Sequence, residues 1–207
     1  MSPSPPDAAP APRAKRPRLD HESVLVAAEG LVDREGYDAL TMTLLAGELD
    51  TRVSSLYNHV ANLEDLRAEI QVRAMQLLGN QVRSAAMGHA GPDGLRVLSH
   101  SLRGFARDYP HRYAAMTRAP IDRDSFFAAA AGTIEALAVM VRSTGLPEER
   151  LLLTGMAIFS ALHGFVSLEV SGYFGGVDDL DMVFAQVIRG AVTAAVLEGS
   201  EPVAATG

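Results

Sequence analysis

Between Ser54 and His59 the chain reads Ser-Ser-Leu-Tyr-Asn-His, five hydrogen-bonding side chains in six positions, none of them carrying a formal charge. Hydroxyls, an amide, a phenol and an imidazole are the groups that read base edges and bond phosphate oxygens. Enzyme signatures are missing. The sequence has no cysteine, no nucleophile elbow, no phosphate-cradling glycine loop and no pair of carboxylate-rich helices. His163 and Glu169 are six apart and cannot share a helical face, and His89, His100 and His111 lack the spacing of metal ligands. No metal or cofactor is expected, and no catalytic site.

Two short helices must position the polar run. Thr41 is a good N-cap for a helix over Met42–Leu49, and a turn around Asp50–Arg52 leads into a second over Val53–His59. These are helix-turn-helix dimensions, and the second helix is small enough to enter a major groove about 12 Å wide. Leu56 and Val60, four apart, point back to a core beside Leu45 and Leu49. Upstream, Leu25, Ala28, Leu31 and Val32 mark one face of a helix over His21–Glu35, ended by Gly36. Downstream, Asn62 caps a longer helix that buries Leu63, Leu66, Ile70, Ala74, Leu77 and Leu78 and runs toward Met87.

The remaining patterns are helical too, so the fold class is all-α with about nine helices. Gly88–Gly94 is the clearest linker. Helices follow over Leu95–Asp108, His111–Arg118 and Asp122–Ser143, then from Pro147 toward Tyr173, and after Gly175-Gly176 from Asp178 or Asp179 to Glu198. Leu151–Leu168 has no formal charge, but Thr154, Ser160, His163 and Ser167 and the lack of a second comparable span favour a buried helix over a membrane one. With 48% apolar residues in 207, the chain can bury a sizeable core. The absence of cysteine suits a reducing cytoplasm. Residues 1–18 are Pro-rich and basic, with no apolar segment of a secretory signal, and read as a disordered arm; residues 201–207 read as a disordered tail.

The helix ending in Gly36-Tyr37, then Leu40-Thr41-Met42, Leu45-Ala46 and above all Leu56-Tyr57-Asn58-His59-Val60 with Asp65-Leu66 resemble the TetR family of transcriptional repressors. The resemblance implies a DNA-binding domain over residues 19–66, a connecting helix over 62–87, and a ligand-binding and dimerisation domain over 67–200. It implies that Thr41 caps the second helix and sets its amides at a phosphate, that Ser54 and Ser55 face bases, and that Tyr57 and His59 bond the backbone; Asn58 belongs to the same face, and Arg52 is the one cation between Gly36 and Leu66. Three positions depart from the family pattern: Asp50 for a turn glycine, Thr43 for a cation, and Leu63 for a phosphate-contacting lysine. Charge departs as well. The whole chain is at -7, and from Leu19 to Val60 only Arg34 and Arg52 stand against eight carboxylates. Because phosphate neutralisation supplies most non-specific affinity, this domain should bind DNA weakly by itself. Arg13, Lys15, Arg16 and Arg18 of the arm, placed just before the first helix, could supply the missing charge from the adjacent minor groove.

Phe159 through Glu169, with Gly172-Tyr173-Phe174 and Tyr109-Pro110-His111-Arg112-Tyr113, is similar to a TetR subgroup marked by a Trp-His-Gly motif, with Phe or Ser where the Trp is expected. A helix apolar nearly all round must be covered on every side, which points to a homodimer in which the long helix and the last one pair with their symmetry mates. Phe105, Tyr109, Tyr113, Met116, Phe126, Phe127, Met140, Phe159 and His163 could line an apolar pocket for a small apolar effector. The expected function is a ligand-responsive, DNA-binding repressor of a double-stranded operator. The acidity of the head keeps open a ligand-binding or protein-interaction module whose helix-turn-helix no longer binds DNA.

Overall fold

The structure, a computed structural model, describes residues 19–200, with side chains through 197; the arm with Arg13, Lys15, Arg16 and Arg18, and the tail 201–207, lie outside the described residues. All regular structure among the described residues is helical. In chain order these are α1 (His21–Glu35), α2 (Met42–Glu48), α3 (Val53–Leu56), α4 (Leu63–Ala86), α5 (Gly91–Asp108), α6 (Pro110–Met116), α7 (Arg123–Arg142), α8 (Glu148–Val170) and α9 (Leu180–Ser200).

Side-chain caps start at least four of these helices, long and short alike. Asp20 and Ser23 form a reciprocal capping box on α1, Thr41 accepts from the Leu44 amide on α2, Asn62 from Asp65 on α4, and Asp122 from Ser125 on α7. Each satisfies an amide that the first helical turn leaves unpaired. Gly36 ends α1 at φ 93, a conformation that favours glycine.

Several expected boundaries shift. The linker after α4 is shorter than Gly88–Gly94, because Gly91 to Gly94 is the first turn of α5. Pro92 sits where a missing N–H costs nothing, and Gly91, at φ +54, donates its amide to the Ser143 hydroxyl at 2.7 Å. Pro147 is the residue before α8 rather than inside its first turn, and α8 stops at Val170 instead of Tyr173.

Two apolar cores result. One joins α1 to α3 with Leu66 and Ile70 of α4 and Ala115 of α6; the other fills the space among α4 to α9. α4 belongs to both, packing on α1 at one end and on α5, α6 and α7 along its length. Membrane-span character is commoner than the sequence reading allowed. α7, α8 and the Leu180–Leu197 stretch of α9 are all long and apolar enough to cross a membrane by length and composition. α7 and α9 escape a search for charge-free runs because each carries an ionised residue, Glu135 and Arg189, among its Ala and Val.

Candidate DNA-binding and effector sites

α2 and α3 meet through a tight turn. Thr51 donates to the Ala46 carbonyl at 2.9 Å and Asp50 to Gly47 at 3.2 Å, the paired bonds of a Schellman helix end. That motif needs a left-handed residue after the cap, and Asp50 fills the place at φ 46 where glycine is usual. The expected helix over Val53–His59 is shorter, and α3 ends at Leu56. Asn58 and His59 donate to carbonyls three residues back, at 3.3 and 2.8 Å, so Tyr57–His59 is a tightened last turn. The reason is local. Val60 must return to the core, where it is 5% exposed, and Asn62 already opens α4.

Leu56 and Leu45 are fully buried beneath the turn. Above it, Ser54, Tyr57 and Asn58 are exposed, and Ser55 and His59 half-buried. Thr41, Thr43 and Arg52 share the exposed side. Three of the five hydrogen-bonding residues are therefore exposed and two half-buried, above a buried apolar base.

The head's acidity is distributed in a way no running sum could show. Arg73 of α4 bonds Glu22 at 2.7 Å and the buried Glu29 at 3.0 Å. Arg112 of α6 grips Asp33 with two bonds of 2.7 Å and lies 3.5 Å from Glu29. Arg118 pairs with Asp38, and Arg34 with Glu48 at 2.8 Å. At least five of the eight carboxylates are thus ion-paired, three of the arginines coming from beyond the DNA-binding domain. The carboxylates hold the guanidinium pKa values of Arg73 and Arg112 above their ordinary value, chiefly by accepting hydrogen bonds, Glu22 from Arg73 and Asp33 from Arg112. Gln71, 1% exposed, locks the same junction: its amide donates to the Ala115 carbonyl and accepts from the Ile121 amide, both at 3.0 Å. The partners that join the head to α4 and α6 are 44 to 83 residues apart, beyond any local sequence signal.

The nine expected pocket residues divide. Phe105, Tyr113, Met116, Phe126 and Met140 are buried, Tyr109 and His163 half-buried, while Phe127 and Phe159 are 43% and 51% exposed. The Phe105 ring packs tilted against Tyr109, with ring centroids 5.4 Å apart, and Met140 fills the space over Gly94, so each of these side chains closes on a neighbour. Tyr113, His163 and Phe159 do come together. The Tyr113 hydroxyl is 2.7 Å from His163 Nδ1, the two rings are stacked, and the Phe159 ring centre is 4.0 Å from that of His163. Burial holds His163 neutral, its pKa lowered to about 4, and raises Tyr113 to about 12. A separate open cleft of about 850 Å³ between α4 and the start of α7 is lined by charged residues, including Asp65, Glu69, Arg73 and Asp124, and by none of the nine. Its polarity does not suit an apolar ligand.

An exposed polar recognition turn on a helix-turn-helix, joined by one long helix to an all-helical bundle, defines a DNA-binding regulator with a separate helical domain. Residues 95–191 match the Tetracyclin repressor-like C-terminal domain. The chain is 36% identical over 177 residues to the HTH-type transcriptional regulator Rv0681 of Mycobacterium tuberculosis, covering 84% of this chain and 81% of that one. Its fold is similar to a TetR of Acinetobacter baumannii in complex with minocycline, with TM-score 0.67, 20% identity, and coverage of 89% and 100%. It is also similar to BioQ with its double-stranded DNA operator, with TM-score 0.61, 19% identity, and coverage of 84% and 99%. The chain belongs to the TetR family and is a DNA-binding transcriptional regulator. The Trp-His-Gly likeness is looser than expected: Leu162, 6% exposed, directly precedes His163, and the chain has no tryptophan.

Proposed function

We infer that the chain is a homodimeric repressor that a small apolar effector releases from its operator in the cytoplasm. One observation carries the reading. The Tyr113 hydroxyl on α6 is bonded to His163 on α8, inside the helical domain, while its neighbour Arg112 is bonded to Asp33 on α1, inside the head. A ligand that moves α8 or α6 therefore has differential contacts with the orientation of the head, the requirement for coupling two sites. Ser54 and Ser55 would meet base edges, Asn58 beside them, and Tyr57, His59 and the α2 amides capped by Thr41 would meet phosphates; Thr43 and Arg52 flank them.

The dimer follows from α8 and α9. Leu152, Leu153, Met156 and Phe159 on α8, with Met182 and Leu197 on α9, are between 51% and 72% exposed in the single chain. Gly155, Gly164 and Gly190 on the same helices have nothing within 4 Å of an added Cβ, so a second pair of helices could approach closely. Apolar contacts on this scale need a cover, and a symmetry mate offers the same surface.

Gel shifts with DNA from upstream of the protein's own gene, at two salt concentrations and with or without residues 1–18, test the reading. A specific complex is expected, weakened by deleting the arm, with a shallower salt dependence because phosphate contacts are lost. Absence of any specific complex overturns it. Light scattering at micromolar concentration should give twice the 22.0 kDa chain mass.

A further inference from the structure

We propose that the charged cleft between α4 and the start of α7 holds the chain's own basic arm, residues 13–18, in competition with DNA. The inference needs the charge of the arm but not the effector or the operator.

The cleft, of about 850 Å³, is lined by four carboxylates, Asp65, Glu69, Asp122 and Asp124, against two cations, Arg73 and Arg123. Both cations are engaged elsewhere. Arg73 is bonded to Glu22 and Glu29, and the Arg123 guanidinium lies over the Phe127 ring, 4.8 Å from its centre. Asp65 accepts from the Asn62 amide and Asp122 caps α7, but among the described residues no cation pairs with Asp65, Asp122 or Asp124. The cleft also marks where α1 begins. His21 Nε2 lies 3.0 Å from Glu69 Oε1, and Arg73 bonds Glu22 at 2.7 Å, so two lining side chains tie the first turn of α1 to the rim. The described residues start two positions before His21, at Leu19.

Reach and charge then name the occupant. Arg13, Lys15, Arg16 and Arg18 directly precede Leu19. Six residues span at most about 20 Å, so all four cations lie within that distance of a chain end already tied to the rim. The cleft offers carboxylates without cations, and the arm offers four cations against the single Asp7. Exposed ion pairs are individually weak and are screened by salt, so such an arm leaves the cleft readily. Its cations can neutralise these carboxylates or DNA phosphates, and not both at once. The cleft therefore withholds the arm from DNA that offers phosphates alone, and base contacts at a specific site are needed to draw it out.

Fluorescence anisotropy with a random-sequence DNA duplex at low salt tests this, on the full chain and on a chain lacking residues 1–18. Asp122→Asn/Asp124→Asn removes two of the carboxylates, and asparagine keeps the cap on α7. In the full chain the pair should tighten binding ~3-fold or more, as the loss of two competing ion pairs would. Without the arm it should change binding little. An equal gain in both chains, which removal of charge alone would give, overturns the proposal, and so does no gain in the full chain. Asp124→Asn alone serves if the pair does not fold by circular dichroism. The chain has no cysteine, so Ala14→Cys accepts a single nitroxide label. That label should broaden the backbone amide resonances of Glu69 and Ser125 and spare Gly155 on α8, and high salt or the duplex should restore them. Absence of broadening overturns the docking whatever the duplex shows. If deleting residues 1–18 does not weaken the duplex complex, the part of the arm in DNA binding fails and the competition with it, while the operator reading stands on its own gel shift.

Discussion

Burying a neutral histidine links stability to pH, and His163 makes that link measurable. Its proton affinity falls from the ordinary 6.5 to about 4, by burial. Between those values the unfolded chain binds a proton that the folded chain refuses, so lowering the pH favours unfolding. The contribution is fully present above pH 6.5, is lost as pH falls toward 4, and changes no further below that. At about 1.4 kcal/mol per pH unit, the interval amounts to about 3 kcal/mol. The perturbation is His163→Gln, which removes the titration and keeps a hydrogen-bonding head beside Tyr113. Urea denaturation of both proteins at pH 7.5, 6, 5 and 4, at one protein concentration, gives the difference in unfolding free energy at each pH. Other groups titrate equally in both and cancel. The native chain should lose about 3 kcal/mol relative to His163→Gln between pH 7.5 and 4. A difference that stays flat across the range refutes the claim that His163 is buried neutral.

Two further outcomes test the framework around that site. Arg103 is bound to Glu169 by two bonds of 2.8 and 2.7 Å, both side chains at most 7% exposed, with its guanidinium over Phe184. Arg103→Met should cost about 3 kcal/mol by denaturation, since Glu169 is left buried with Arg107 alone, and Arg103→Met/Glu169→Leu should recover most of it. Asp50→Gly should raise the urea midpoint by an amount worth about 0.5–1 kcal/mol, and Asp50→Ala should lower it, because the turn holds φ at 46.

The features most legible in the sequence are those whose cause is local. Thr41, Asn62 and Asp122 cap helices where a short polar side chain precedes an apolar period, and Gly36 and Gly145 end them at positive φ. The recognition turn was legible because Leu56 and Val60 must return to the core, which leaves the polar side chains of the Ser54–His59 run accessible. Boundaries set by competing demands were not. α3 stops at Leu56 because α4 begins so soon afterwards, and α5 starts at Gly91 because Ser143, 52 residues away, accepts its amide. The pocket was the hardest part. Apolar side chains at helical spacing look alike whether they close on each other, as Phe105 and Tyr109 do, or stand open, as Phe159 does. Only the 2.7 Å contact between Tyr113 and His163 separates a polar pair from ordinary core.

Charge shows why such distinctions need three dimensions. Summed along the chain, the head is strongly acidic and its affinity for phosphate looks poor. In the fold, Glu22, Glu29, Asp33 and Asp38 meet arginines of α4, α6 and the turn after α6. Those pairs lie on the side of the head that joins the helical domain, where a carboxylate facing a guanidinium presents little field to a distant phosphate. The turn between α2 and α3 carries Arg52 and the exposed Asp50 beside the uncharged hydrogen-bonding groups. Those four carboxylates fasten the head to α4, α6 and the turn after α6.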